Sequence, residues 1–416
     1  MMQQGRRWLK SKEGLMPTTV LEAEPQHVRA APPHPDPYPW YGRLARERGF
    51  FRDDANNWWV AASAAAVREV LTSDVCLTRP MHERVPAGLR DGAAADIFSR
   101  LVRLRDDQAR GPLKDVVTAA VRNIDLRQLA TLTQARANEL DAEIGLPFDA
   151  AKTTQFMFAL PVQIVALLLG VPRERLADVM GWLGAYGAAA AATGTNIPVP
   201  TAEIIARGHQ GAQALFDLLR NLKINDAERG PLLTALTNEG RRAGCDENDI
   251  VANAVGTMIQ GYAAMASLIG LTLLALARRP ELRAQVMADR KLLRPLIQEV
   301  CRFDPTTNST FRFMARDGEI ARHTLRQGEM IIVMLAAANR DPALNPEPDR
   351  FDIARADRKY LEFGAGPHAC PADKLAPLIV EIALDHLLTR GVPFEKLEAA
   401  LSYAPSGHIR TPLFNR

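Results

Sequence analysis

The chain has 416 residues, of which 47% are hydrophobic and 24% charged, ordinary values for a globular protein with a large core. Its 51 Lys and Arg against 48 Asp and Glu leave a net charge of +3, which argues against a dedicated nucleic-acid-binding protein. Four cysteines, Cys76, Cys245, Cys301 and Cys370, are too few for a disulfide scaffold and too far apart for zinc motifs. We therefore expect a cytoplasmic protein in which any working thiol acts alone.

In chain order, residues 1–35 are rich in proline and mixed polar residues, which predicts a flexible N-terminal arm. Helical periodicity then predicts helices over 60–72, 112–144, 150–170, 201–222, 229–243, 248–278, 280–287 and 290–303. Strand-like runs lie near 58–60, 310–313, 319–320 and 330–334, and a late helix over 371–389 follows an irregular segment. No repeat or linker divides residues 36–416, so we expect a single domain, mainly α with small β-sheets.

Residues 250–277 carry no charge, and this stretch is long enough to cross a bilayer. Asn253 and Gln260 interrupt it, no aromatic belt flanks it, and no second strong apolar span or signal sequence accompanies it. A helix that is apolar on all sides is either a membrane span or the central helix of a large soluble protein. We expect the second, and no membrane partner.

The most informative segment, residues 363–372, reads FGAGPHACPA and contains Cys370. Pro371 suits the first position of a helix, so we expect Cys370 at the N-cap, where the helix dipole and free N–H groups favour the thiolate. The glycines before it let the backbone approach a flat partner closely. A thiolate placed there could act as a nucleophile or a metal ligand, and an inert buried cysteine is the alternative.

This segment resembles the haem-binding loop of the cytochrome P450 family, Phe-x-x-Gly-x-x-x-Cys-x-Gly. Phe363, Gly366 and Cys370 match at the family's spacing, and Ala372 stands where the family prefers glycine. The resemblance implies a cytochrome P450 fold, with a long central helix over the haem and the cysteine loop on the proximal side. It also implies haem b (iron protoporphyrin IX) as cofactor, with Cys370 as the axial thiolate that favours O–O cleavage.

Two further motifs support the resemblance and imply residues that hold the haem loop. Glu299 and Arg302 match the family's Glu-x-x-Arg, and their i, i+3 spacing places both on one helix face. Arg350 matches the third member of the family's Glu-Arg-Arg cluster, which implies structural support rather than chemistry.

The haem propionates need cationic partners. By resemblance these are His368, Arg312 and Arg110, the last from the family's His-x-x-x-Arg. Asp106 occupies the place of that histidine, which puts one propionate contact in doubt.

The uncharged helix resembles the family's distal helix, whose Ala-Gly-x-Glu/Asp-Thr pattern activates oxygen. The pattern falls on Gln260, Gly261, Tyr262, Ala263 and Ala264. The acid and the alcohol that deliver protons are therefore both alanine, and alanine can do neither job. An alternative alignment, one turn earlier, would use the segment 256–257.

Three consequences of this departure compete. Gln260, Tyr262, an ordered water or the substrate itself could relay protons. Alternatively, the enzyme could use peroxide, which arrives with its protons. The third possibility is chemistry that needs no standard relay.

The resemblance also implies the substrate pocket. Its candidate residues are Met81, His82, Val85, Thr306, Thr307 and Asn308. The small-residue segment 187–194 could gate the pocket or simply end a helix. His408 and Arg410 could meet a carboxylate or face water. This mixture suggests a substrate with some polarity.

The resemblance implies a haem-thiolate monooxygenase that inserts oxygen into, or oxidatively modifies, a small molecule of secondary metabolism. No flavin or nicotinamide motif is evident, so a ferredoxin or flavodoxin with its reductase is expected to supply electrons. Arg110, Lys114 and Arg122 could dock that partner or form a solvated helix face. The alternatives are a peroxide-driven or non-oxygenating haem-thiolate enzyme and a haem ligand-binding protein without turnover. We expect a monomer.

Overall fold

A computed structural model of the chain describes residues 24–86, 89–145, 147–191, 201–225 and 228–415. Within them the fold is mainly α-helical with small sheets, which confirms the predicted class. The helices are α1 (Tyr38–Arg43), α2 (Ala64–Thr72), α3 (Ala93–Arg100), α4 (Arg110–Arg122), α5 (Leu126–Ile144), α6 (Ala150–Leu169), α7 (Leu176–Ala191), α8 (Ala202–Ile224), α9 (Pro231–Arg242), α10 (Glu247–Ala277), α11 (Pro280–Ala288), α12 (Leu293–Phe303), α13 (Leu335–Asn339), α14 (Leu375–Arg390) and α15 (Phe394–Ala399).

The strands form one five-stranded sheet and two hairpins in the described part of the chain. They are β1 (Phe50–Asp53), β2 (Trp58–Ala61), β3 (Cys76–Leu77), β4 (Thr310–Met314), β5 (Gly318–Ile320), β6 (His323–Leu325), β7 (Met330–Val333), β8 (Leu401–Tyr403) and β9 (Pro412–Phe414). The larger sheet has the order β1-β2-β7-β4-β3, with β2 parallel to β7 and the other neighbours antiparallel. The sheet thus contains the strands predicted near 58–60, 310–313 and 330–334.

Helix α10 runs through the centre of the main hydrophobic core. It begins where Asp246 accepts hydrogen bonds from the backbone N–H groups of Asn248 and Asp249, at 2.9 and 3.2 Å. Both α10 and α6 are long and apolar enough to cross a membrane, yet 67% and 72% of their most apolar windows are buried inside the protein. Their apolar surfaces therefore face other helices.

In the first half of the chain, two predicted helix boundaries are wrong. The helix predicted over 60–72 begins instead at Ala64, because its first residues belong to β2. The helix predicted over 112–144 is broken into α4 and α5, since Asp125 caps a new helix by accepting from the N–H groups of Arg127 and Gln128 at 2.7 and 3.1 Å. Aspartate prefers the cap to the helix interior because it competes for backbone hydrogen bonds.

The predicted flexible arm, 1–35, is wrong near its C-terminal end, whereas residues 1–23 lie outside the described residues. The fully buried Arg410 donates to the carbonyl oxygens of Pro32 and His34, at 2.6 Å each. A buried guanidinium needs acceptors for its N–H groups, and this segment supplies them. The end of the predicted arm is therefore part of the folded domain.

Candidate active site

The loop before Cys370 needs glycine at two positions. Gly364 and Gly366 adopt φ of +68° and +66°, a region that glycine reaches without steric cost. A Cβ atom on Gly366 would lie 2.6 Å from the carbonyl oxygen of Leu71 in α2, too close for any side chain. Phe363 accepts a hydrogen bond from the Cys370 N–H at 2.8 Å, which closes the loop. Gly366 therefore brings the loop against α2, while Phe363 holds the cysteine.

The helix after this loop begins later than predicted. Residues 371–374 form turns, and α14 starts at Leu375 with Lys374 at its N-cap. The prediction that Cys370 is the N-cap of a helix starting at Pro371 is therefore wrong. The first-turn dipole effect falls off within a turn, so it does not act strongly on the sulfur.

Cys370 is the exposed cysteine of the four, whereas Cys76 and Cys301 are buried and Cys245 is partly buried. Although its side chain has accessible surface, the surrounding protein raises the pKa of the Cys370 thiol by desolvation. The Ala372 N–H donated to the sulfur and the Lys114 charge both act in the opposite direction. The Cys370 side chain is therefore accessible to a further group, and a cationic partner in contact with its sulfur would favour the thiolate.

Helix α4 fastens the cysteine loop through two cations. Arg110 Nη1 donates to the carbonyl oxygen of Pro367 at 3.2 Å, and Lys114 Nζ donates to that of Ala369 at 2.5 Å. These bonds fix the backbone on both sides of His368. Arg110 thus lies at the loop, as predicted, and in this structure it contacts a carbonyl.

His368 and Arg312 lie near a common carboxylate. His368 Nε2 lies 3.2 Å from Asp106 Oδ1, and Asp106 Oδ2 accepts from the Thr78 N–H and hydroxyl at 2.8 and 2.7 Å. The charge of Asp106 also acts on Arg312, whose pKa is lowered by burial. Arg312 is 5% exposed and its hydrogen bond goes to the Phe311 carbonyl at 2.7 Å, not to a carboxylate. A buried guanidinium with N–H groups to spare fits an added anionic group such as a propionate.

Glu299 is the centre of a buried charge cluster. It is fully buried together with Arg302, which donates to both of its carboxylate oxygens at 2.7 and 3.0 Å. Arg358 Nε donates to Glu299 Oε2 at 2.9 Å, and the Asp352 N–H donates to Oε1 at 2.8 Å. Arg302 also donates to the carbonyls of the irregular segment, including that of Arg350 at 2.8 Å. The cluster therefore ties α12 to the coil that leads to the cysteine loop.

The prediction that Arg350 is the third member of this cluster is wrong. Its side chain is 61% exposed and pairs with Glu347 and Asp352 at 3.5 and 3.2 Å. Arg358, with 8% of its side chain exposed, takes that place. The chain turns around Glu299 between the two arginines, so that Arg350 offers its backbone carbonyl to the cluster and points its guanidinium outward.

One short part of α10 is open. Residues 259–264 are partly or fully accessible, whereas residues 250–256 before them and 265–276 after them are buried. This accessible stretch contains the predicted distal pattern, from Gln260 to Ala264. The helix therefore borders an open space where the alignment places the oxygen-activating residues.

The side chains of the distal pattern make few polar contacts. Gln260 Nε2 donates to the Gly256 carbonyl at 3.0 Å, which leaves its amide oxygen available. The ring of Tyr262 packs on Phe158 with centroids 5.2 Å apart, and burial raises the pKa of its hydroxyl. In the alternative alignment, the Thr257 hydroxyl is already bonded to the Ala254 carbonyl at 2.7 Å.

Comparisons with known proteins agree with this geometry. The family profile described as Cytochrome P450 matches residues 220–390. Vitamin D(3) 25-hydroxylase of Pseudonocardia autotrophica is 33% identical over 278 residues, which cover 63% of this chain and 66% of that protein. Mycinamicin IV hydroxylase/epoxidase of Micromonospora griseorubida is 29% identical over 65% of this chain and 67% of its own. The crystal structure of CalO2 superposes with a TM-score of 0.77 at 25% identity, covering 91% of this chain and 96% of that one.

The chain belongs to the cytochrome P450 family. Its relatives are named hydroxylases and monooxygenases, and it is accordingly a P450 monooxygenase-type oxidoreductase. Membership of the family implies a haem-iron cofactor. The accessible Cys370 side chain and the buried, incompletely bonded Arg312 fit such a group at this site.

Two of the predicted P450 pocket residues have their polar groups bonded inside the protein. The Thr306 hydroxyl donates a hydrogen bond to the Glu362 carboxylate, and this bond joins the 304–309 loop to the start of the cysteine loop. Asn308 is fully buried, accepts from Tyr41 Oη at 2.6 Å and donates to the Pro305 carbonyl at 2.7 Å. These side chains hold loops together, and nothing in their geometry supports a substrate contact.

The other predicted pocket residues are scattered. Met81 is 60% exposed and lies against Gln327 in the β6–β7 turn, and His82 is exposed. Val85 packs against the main core, and Thr307 pairs its backbone with the C-terminal turn. Of the proposed gate 187–194, the structure describes the helical part up to Ala191, and the rest lies outside the described residues. The substrate contacts of these residues stay predictions.

Sequence reasoning missed Arg358. It lies in the irregular segment, outside the regular elements that periodicity reveals. Arg410 was expected to meet a substrate carboxylate or to face water, and it does neither. Its side chain is fully buried and bonds to Asp304 at 3.1 Å as well as to the N-terminal carbonyls.

Proposed function

We propose that the chain is a haem-thiolate monooxygenase with haem b, in which Cys370 is the axial ligand. The observation that carries the proposal is the accessible Cys370 side chain at the end of a loop that two positive-φ glycines form. Desolvation favours the neutral thiol, and a ferric or ferrous ion in contact would reverse that preference. Bound haem would supply the oxidative chemistry that its thiolate-ligated iron makes possible.

Several side chains would hold the haem. The Ala372 N–H stabilises the sulfur as an acceptor, and Arg110 and Lys114 fix the loop carbonyls around it. Arg312 and His368 would meet propionates, in competition with Asp106. Asp106, standing where the family has histidine, would keep His368 oriented by its hydrogen bond rather than contact a propionate itself.

On the distal side, the chain would manage protons without an acid–alcohol pair. The side chains of Ala263 and Ala264 can neither donate nor accept, so the polar side-chain groups left in the pattern are the Gln260 amide and the Tyr262 hydroxyl. Because burial raises the pKa of Tyr262, its hydroxyl stays protonated at neutral pH and can donate. A relay through these groups or the substrate would serve oxygen activation.

We propose a small molecule of secondary metabolism as the substrate, as the relative that hydroxylates and epoxidises mycinamicin IV suggests. Electrons would come from a ferredoxin or flavodoxin with its reductase. The protein would work in the cytoplasm, since the two membrane-length helices found in the described ranges are largely covered by other helices. We propose that it works as a monomer.

The proposed function is tested in two steps. A ligand is first identified by the shift that it causes in the haem spectrum, and its oxidation is then measured under isotopically labelled dioxygen. With ferredoxin, its reductase and NADPH, the product should carry one labelled oxygen atom. A product labelled only from water, or no product from a ligand that binds, would contradict oxygen insertion.

A second candidate function is a peroxide-driven oxidation, which the Ala263–Ala264 pair favours because peroxide brings its own protons. Hydrogen peroxide should then replace dioxygen, ferredoxin and reductase, with higher product yield per haem than the electron-transfer system gives. A yield from peroxide far below that from the ferredoxin system would exclude this candidate.

A further inference from the structure

Two contacts bracket the accessible stretch of α10. On its N-terminal side, Asn253 accepts from the Val102 N–H at 2.9 Å and donates to the Arg100 carbonyl at 2.8 Å, which holds the 3-10 turn Val102–Leu104 against α10. On its C-terminal side, Ser267 Oγ lies 2.8 Å from Thr411 Oγ1, which holds the C-terminal turn there. Residues 253 and 267 are about 21 Å apart along the helix axis. Both turns thus stand beside the open space that the accessible stretch borders.

Arg103 projects from the first of these turns. Its neighbours in the turn are buried or partly buried, while its own side chain has accessible surface. Within the described ranges no carboxylate forms an ion pair with it, whereas Arg105, two residues on, pairs with Asp107 and Asp249 at 3.0 and 2.7 Å. Burial lowers the pKa of Arg103, so the protein surrounds this guanidinium without covering it. The guanidinium is therefore accessible to a ligand on the turn that Asn253 holds against α10.

Two further polar groups near Arg103 have no partner in the described part of the chain. The Tyr186 hydroxyl is on a residue that is 2% exposed and is buried without a hydrogen bond. His408 Nδ1 is likewise buried without one, and the His408 ring packs edge-on against Phe311 at 4.8 Å between centroids. The charge of Arg103 acts on both residues, which places all three in one neighbourhood.

The local charge is positive. The positive charge of Arg103 repels that of Arg79, and the charge of Arg29 acts on His408 in the same direction as that of Arg103. Glu83 acts on Arg79 and offsets part of this excess. Burial lowers the pKa of His408 to about 4, so its ring is neutral near pH 7 and can accept or donate one hydrogen bond. The neighbourhood therefore offers a guanidinium and a phenol as donors, with an aromatic wall.

We propose that the substrate is a carboxylic acid, whose carboxylate binds Arg103 and the Tyr186 hydroxyl and whose apolar part lies along the accessible stretch of α10. This inference rests on the proposed function, because it places the anion in the cavity beside the predicted haem. A guanidinium binds a carboxylate through two parallel hydrogen bonds, which fixes orientation as well as charge. The reacting carbon would then lie away from the carboxylate, toward the residues 260–264.

The experiment compares acids with their neutral analogues on the haem-loaded protein. Dodecanoic acid and dodecanamide, and naphthoic acid and naphthamide, are matched in shape and differ in charge. Dissociation constants come from the shift of the haem Soret band. In the wild type at least one acid should bind roughly 10-fold or more tightly than its amide, as for a buried charge-assisted pair.

Three variants locate the effect. Arg103→Gln should abolish the preference for the acid, with a loss of acid affinity of roughly 10- to 100-fold and unchanged haem content. Tyr186→Phe, which removes only the hydroxyl, should weaken acid binding about 10-fold. Arg316→Gln, whose side chain is 61% exposed and pairs with Asp74, should leave every constant unchanged.

Equal binding of acid and amide by the wild type in both pairs, or an acid preference that survives Arg103→Gln, would overturn the proposal. Loss of haem from Arg103→Gln would assign Arg103 to the haem instead, and would overturn it as well. Failure of the proposed function looks different, because the wild type would then lack a thiolate-type spectrum. Titration calorimetry on the same protein would still report whether acids bind better than amides.

Discussion

The cysteine loop and the accessible stretch of α10 belong to one site and are built in opposite ways. Around the loop the backbone is held by several hydrogen bonds: Arg110 and Lys114 donate to its carbonyls and the Cys370 N–H donates to Phe363, while Glu299 is bonded on both oxygens. The stretch 259–264 has alanine at its two chemically decisive positions and few hydrogen bonds.

This difference separates what holds the cofactor from what directs the reaction. The loop side must keep the sulfur in place, and in the buried Glu299 cluster behind it any lost partner leaves a buried group unsatisfied. The helix side needs only a surface open to substrate, and substitutions there change chemistry without disturbing the fold. The cysteine-loop side therefore preserves the fold and the cofactor site of the family, while the accessible stretch of α10 can differ in the reaction that it supports.

The largest expected effect breaks the loop side. Arg358→Ala should lower the free energy of unfolding by about 3 kcal/mol, because it leaves the buried Glu299 with less compensation. Urea denaturation of the haem-loaded protein measures this. The matched control, Arg350→Ala, removes an exposed guanidinium and should change stability by about 0.5 kcal/mol or less. Equal losses for the two variants would contradict the assignment of Arg358 to the cluster.

The next effect is the pH dependence of folding stability that Glu362, beside the cysteine loop, is expected to cause. Burial raises the pKa of Glu362 to about 7, although its bonds to Thr306 and Thr307 act against the rise. The folded state then holds this proton more tightly than the unfolded state, whose value is near 4.5. Stability therefore falls as pH rises from about 4.5 to 7, by about 3 kcal/mol at most.

Unfolding of wild type and Glu362→Gln at a series of pH values checks this effect. The difference between their free energies of unfolding should grow in favour of the glutamine variant across that window. The change with pH is the readout, since the amide also loses one acceptor at every pH. A difference that stays constant from pH 4.5 to 7 would contradict the raised pKa.

A smaller effect is expected on the helix side. The double variant Ala263→Glu with Ala264→Thr restores a proton relay and should raise product formed per oxygen consumed, by at most about 100-fold, with ferredoxin and reductase. Peroxide-driven turnover should not rise with it. Thr257→Ala tests the alternative alignment and should leave turnover unchanged. Loss of activity in Thr257→Ala with no effect of the double variant would reverse the assignment.

The smallest effect concerns the hydrogen bonds by which Asn253 of α10 holds the 3-10 turn Val102–Leu104. Asn253→Ala removes the bonds to Val102 and Arg100 and should cost about 1.5 kcal/mol in the free energy of unfolding, measured by urea denaturation. Asn248→Ala, at an exposed position of the same helix, is the control and should be near neutral. A neutral Asn253→Ala would mean that the 3-10 turn is held in some other way.

The sequence predicts the regular parts of this molecule well and the irregular parts poorly. The strands near 310–313 and 330–334 and the central helix are confirmed because alternation and apolar runs follow directly from burial. The start of α14 is wrong because a proline that suits a first helical turn also suits the tight turns at 371–374.

The site shows the same division. Glu299 and Arg302 are one helical turn apart, so their pairing is readable from spacing. The pairing of Arg358 cannot be predicted in this way, because the chain between residues 339 and 370 has no periodicity that indicates which arginine side chain is buried. Arg103 is hidden for the same reason, since a single 3-10 turn leaves no pattern and its accessibility depends on distant elements such as α7 and the C-terminal turn.

The central claim is that one thiolate, that of Cys370, holds the haem. The most direct measurement is the reduced, carbon monoxide-bound spectrum of the wild type beside four variants, in which each cysteine in turn is replaced by serine. The wild type and the variants of Cys76, Cys245 and Cys301 should show the red-shifted Soret band of thiolate ligation, and Cys370→Ser should lose it. A thiolate band that survives in Cys370→Ser, or is absent from the wild type, would contradict the account.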